Sequence, residues 1–74
     1  MTEFDFTGLK CPLPVLKARR ALKDMASDTT IRILADDPAA PLDFEHFCET
    51  AGHHLEKSTT ENGVFTFEIR KGSK

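Results

Sequence analysis

A chain of 74 residues with 39% hydrophobic and 30% charged side chains buries one small core, which excludes a second domain and a deep substrate pocket. Ten Lys and Arg against 12 Asp and Glu give a formal net charge of -2, so no stable direct nucleic-acid binding is expected. No apolar run approaches the ~20 residues that cross a bilayer, and Met1-Thr2-Glu3-Phe4-Asp5 lacks the basic-then-apolar order of a secretory signal; the expected setting is the cytoplasm, away from membranes.

Phe4 and Phe6 alternate with polar neighbours, which predicts a short strand over Glu3 to Thr7, broken by Gly8. From Pro12 the period changes: Val15, Ala18, Leu22 and Met25, with Ala21 beside them, recur at three and four and mark an amphipathic helix. Ser27-Asp28-Thr29 supplies a turn. Ile31, Ile33 and Ala35 then alternate along a second strand that ends at Asp36-Asp37-Pro38, with Leu34 giving its other face some apolar character.

Pro38 to Pro41 reads as a stiff loop, after which Phe44, Phe47, Cys48 and Ala51 share one face of a second helix that Gly52 terminates. Leu55 to Thr60 and Val64 to Arg70 flank Glu61-Asn62-Gly63, where Asn-Gly is a strong hairpin signal, and Phe65, Phe67 and Ile69 fall on one side. Gly72-Ser73-Lys74 reads as a frayed tail. The order strand-helix-strand-helix-strand-strand predicts an α/β two-layer sandwich, with both helices on one face of a four-stranded mixed sheet.

In a reducing compartment the two cysteines are expected as free thiols, a Cys11–Cys48 bridge being the alternative left open. The two differ in setting. Cys48 shares a helical face with Phe44, Phe47 and Ala51 and is assigned to the core. Cys11 stands where the first helix begins, with Pro12 suited to the first helical position; unpaired amides there are expected to aim partial positive charge at the sulfur and favour its thiolate. Lys10 and Lys17 add favourable charge, and the two prolines restrict the residues before them, so the thiol is held and presented. The same surroundings suit an anionic persulfide. A second reading, that Cys11 merely occupies a helix start shaped by Pro12 and Pro14, has equal weight on these residues alone. No second cysteine follows at the Cys-x-x-Cys spacing, which argues against a dithiol oxidoreductase.

Gly8-Leu9-Lys10-Cys11-Pro12-Leu13-Pro14, with Lys17 and Ala21-Leu22 following, closely resembles the signature of TusA-like sulfur carriers. Ile33 to Ala39, Asp43, Phe47-Cys48, Gly52-His53 and Phe67 to Gly72 are similar to later segments of that family in the same order, so nearly the whole chain is covered. The resemblance implies a carrier rather than an enzyme with a substrate pocket. Cys11 would accept sulfur from a cysteine desulfurase or rhodanese-like donor and pass it to an acceptor protein. In the best-known branch the relay ends in 2-thiouridine of tRNA, in others in molybdenum cofactor formation or sulfur oxidation. Two departures, Ser27-Asp28 where a turn resembling Pro-Gly is common and Leu42 at a position basic in some members of the tRNA branch, leave the pathway open. The resemblance also sets the Asp36-Asp37 loop at the same end of the sheet as Cys11, so that Asp37 and Arg19 join Lys10, Pro12 and Pro14 as candidates for partner contact or thiolate support. An exposed acidic turn without a role is the other reading of Asp37.

His46, Cys48, His53 and His54 do not have the spacing of a zinc finger or zinc protease, and no metal or other cofactor is expected. Lys10, Lys17, Arg19, Arg20 and Lys23 crowd the first third while Asp36, Asp37, Asp43, Glu45 and Glu49 fill the middle, a polarity that either orients a docking partner or reflects two solvated helix faces. A monomer suits a thiol that several partners must visit. A small redox-sensing or regulatory module without sulfur transfer is the competing function.

Overall fold

A computed structural model describes residues 1–72. Along the chain run β1 (Thr2–Asp5), α1 (Leu13–Lys23), β2 (Thr30–Ala35), α2 (Ala40–Ala51), β3 (His54–Glu61) and β4 (Val64–Arg70). The sheet order is β1-β2-β4-β3, with β1 parallel to β2 and the other two pairs antiparallel. Two helices pack on this four-stranded mixed sheet, the expected α/β sandwich.

Period explains which side chains are inside. Ile31, Ile33 and Ala35 of β2 and Phe67 and Ile69 of β4 are fully buried beneath Ala18 and Leu22 of α1 and Phe44, Phe47 and Cys48 of α2. Residues two apart on a strand and three or four apart on a helix meet in one layer. Phe44 lies against Phe67 with ring centroids 4.7 Å apart. Phe65 and Leu55 are half-buried at the margin of this cluster.

Asn62 and Gly63 take positive φ, 53° and 79°, the backbone that a tight hairpin with right-handed strand twist requires. That turn fixes β3 on β4 although Leu55 is the only large apolar residue between His54 and Glu61. Gly52 closes α2 in the left-handed region, its N–H donating to the carbonyl of Cys48.

Three expectations are corrected. Pro38 to Pro41 is not wholly loop: α2 starts at Ala40, with Pro41 inside the first turn, where a missing N–H costs nothing because that turn's amides have no intrahelical partner. Pro12 is the cap residue before α1 rather than its first residue, and the helix proper begins at Leu13. Gly72 is not frayed. It is buried, its N–H donates to Nδ1 of His53 at 3.0 Å, and a Cβ there would collide with the carbonyl oxygen of Gly52. Ser73 and Lys74, the rest of the expected tail, lie outside the described residues.

Candidate functional site

Between β1 and α1 the chain makes a short loop whose shape is set by its own polar groups. Asp5 accepts the Thr7 N–H at 3.0 Å, Gly8 takes φ +85°, and the Leu9 N–H returns to the carbonyl of Phe6 at 3.2 Å. Two longer reaches tie the loop to the end of β2. The Gly8 N–H donates to Oδ1 of Asp36 at 2.9 Å, and the Cys11 N–H donates to Oδ2 of Asp37 at 3.2 Å. The other oxygen of Asp37 accepts the Ala39 N–H at 2.8 Å. These amide bonds and a nearby Lys10 charge hold the Asp37 carboxyl below its ordinary acidity value.

Cys11 is a free, exposed thiol. Its acidity runs opposite to the expectation. The Asp43 carboxylate, the largest influence, favours the protonated S–H, some desolvation adds to this, and the negative charges of Asp43 and Asp37 finish the effect, pushing the thiol above its ordinary value. Three of the positions at the helix start offer the sulfur no free amide: the Leu13 N–H donates to the carbonyl of Lys10 at 2.8 Å, Pro14 has none, and that of Cys11 is held by Asp37. Asp43 lies 32 positions away in sequence, in the first turn of α2, so no local pattern announced it.

Of the other candidates, Lys10 and Pro12 are exposed beside Cys11. Pro14 is buried in the first turn of α1, so it anchors the helix and presents no surface to a partner. Arg19 lies two turns along α1, its guanidinium 5.6 Å from the centroid of Phe47. It shares with Pro12 a groove of about 420 Å³ between the two helices, lined also by Val15, Leu42, Asp43, His46, Phe47 and Thr50. Leu13, Leu16 and Leu42 are exposed apolar residues on α1 and α2, 45%, 48% and 71% accessible, and of these only Leu42 lines the groove. Leu42, Asp43 and His46 were missed as site residues because the groove exists only once α2 is laid on α1. Cys48, by contrast, is 3% accessible, and burial pushes its thiol up to about 11.

Among the described residues no cluster of His, Cys, Asp and Glu has the geometry to hold a metal ion, and no helix is long and apolar enough to cross a membrane.

The family described as sulfurtransferase TusA matches residues 2–71. The chain belongs to the TusA family. A Neisseria meningitidis serogroup A protein named as a candidate sulfur carrier is 47% identical over 66 residues, covering 89% of each chain. Sulfur carrier protein TusA of Allochromatium vinosum is 41% identical over 69 residues, covering 93% of this chain and 91% of that one. In three dimensions the chain is similar to the crystal structure of a SirA-like protein from Desulfitobacterium hafniense, with a TM-score of 0.85 and 25% identity over 99% of this chain and 100% of that one. The loop bearing Cys11, the Asp36-Asp37 turn and the inter-helix groove all lie inside the residues that match the TusA family.

Proposed function

We propose that this chain, as one domain over residues 1–74, is a cytoplasmic sulfur carrier. Cys11 takes sulfane sulfur from a cysteine desulfurase or rhodanese-like donor as a persulfide and delivers it to an acceptor protein. In the first step the Cys11 thiolate attacks the outer sulfur of the donor's persulfide. A new S–S bond forms on Cys11, the old one breaks, and the donor leaves as a thiolate; the second step repeats the exchange on the acceptor, with no net oxidation. The observation that carries this reading is a single exposed thiol on a tethered loop, next in sequence to Pro12, which lines an open groove between the helices. The names of the relatives support it.

The raised acidity value means that the free protein holds Cys11 largely as thiol at neutral pH, so ionisation belongs to the encounter with a donor that draws Asp43 aside or accepts the proton. A redox-sensing module is less well supported, because sensor cysteines are ionised at rest and pair with a resolving thiol, while Cys48 is buried. Where the relay serves thiolation of tRNA uridine, the acceptor protein rather than this acidic chain contacts the RNA. Incubation with a cysteine desulfurase and L-cysteine tests the relay: mass spectrometry should find an added ~32 Da per sulfur, lost with Cys11→Ser. An unmodified wild-type chain under these conditions overturns it.

A further inference from the structure

We infer that Asp36 and Asp37 are positioning residues for Cys11, holding the sulfur-bearing loop to the end of β2 through the amides of Gly8 and Cys11. Given the relay proposed above, they fix where a visiting protein finds the sulfur.

The loop's own hydrogen bonds, donated by the Thr7 N–H to Asp5, Leu9 to Phe6 and Leu13 to Lys10, curl it, and the Phe6 N–H donates to the Leu34 carbonyl at 2.8 Å, which keeps only the start of the loop on β2. Beyond that point the segment that carries Cys11 is placed by two side-chain contacts across 28 and 26 residues of sequence, the Gly8 N–H donating to Asp36 and the Cys11 N–H to Asp37. An ordinary role as a turn former explains one oxygen of Asp37, the one that accepts from Ala39 two residues on. It explains neither the other oxygen, on Cys11, nor Asp36, whose carboxylate accepts the Gly8 N–H. Each carboxylate thus meets a backbone donor on a distant segment, with the shorter reach at 2.9 Å.

Placement and ionisation pull in opposite directions at Asp37. Its hydrogen bond fixes the cysteine backbone, while its charge resists formation of the thiolate. Asp37→Asn separates the two, because an amide has one acceptor oxygen where the carboxylate uses two, and it carries no charge. The variant should show three changes together. Iodoacetamide alkylation of Cys11 should have its pH midpoint shifted down. The Cys11 amide should exchange its hydrogen on the order of tenfold faster. Persulfide uptake from a persulfidated desulfurase should nevertheless slow, on the order of tenfold, because the sulfur is no longer held in place.

Asp36 gives the matching control. Asp36→Asn keeps an oxygen for Gly8 and should take up sulfur like the wild type, whereas Asp36→Ala should slow uptake; Asp36→Ser replaces it if the alanine variant does not fold. Faster uptake by Asp37→Asn would assign Asp37 a purely electrostatic effect and overturn the inference. So would an unmoved alkylation profile and amide exchange, or equal behaviour of Asp36→Asn and Asp36→Ala. Alkylation and exchange need no sulfur donor, so a wild-type chain that takes up no sulfur ends the relay proposal and still leaves the placement decided.

Discussion

Cys11 and Cys48 are the same side chain in two environments, one on an exposed loop beside two carboxylates and one on the inner face of α2 under Phe44 and Phe47. Both thiols are pushed above the ordinary value, Cys48 by desolvation and Cys11 first by the Asp43 carboxylate. Resting acidity therefore does not separate the exposed cysteine from the buried one. Access separates them, together with a cause of the shift that can be removed: a docking protein can displace a carboxylate, but only unfolding restores water to Cys48.

Exchanging each sulfur for oxygen tests this contrast most severely. Cys11→Ser should lose all persulfide by mass spectrometry and leave the urea midpoint where it was, while Cys48→Ser should keep the persulfide. Cys48→Ser should instead lose about 1–3 kcal/mol of stability in urea titration, since a hydroxyl replaces an apolar thiol among packed side chains. A persulfide that disappears with Cys48 and survives without Cys11 would reverse the assignment.

Next in size is the pH at which Cys11 reacts. Asp43→Asn removes the largest cause of its raised value, so the midpoint for alkylation should move down toward that of an unperturbed thiol, read by iodoacetamide rates across alkaline pH. An unmoved midpoint would mean that Asp43 does not govern the thiol.

The smallest expected effect is on alkaline stability. Cys48 has a folded value of about 11 against an ordinary 9.0, so the unfolded chain loses its proton first. The folded state then binds more protons than the unfolded one, and stability falls as pH rises from the unfolded value through the folded one. Urea midpoints across pH 9 to 11 should decline in the wild type and less so in Cys48→Ala.

The fold was largely legible from the chain. Ile31, Ile33 and Ala35 declared the inner face of β2 by alternation, and Asn62-Gly63 declared the hairpin by backbone preference, both local signals. The first turns of the helices were less so: Pro41 resembles a loop residue until one sees that a helix start tolerates it. At the site, the identity of Cys11 was readable and its electrostatics were not, because the carboxylates that govern it come from α2 and the end of β2. Gly72 was misread for the same reason, its neighbour Gly52 being distant in sequence and adjacent in space.

The strand that anchors the Cys11 loop is flanked on both sides, by β1 and by β4, and its inward side chains are fully buried. A visitor to the thiol therefore meets a stiff projection rather than a floating tether. Little conformational freedom remains to be surrendered in the collision complex, which suits brief encounters with different proteins, each needing only enough contact surface to linger for one atom's passage.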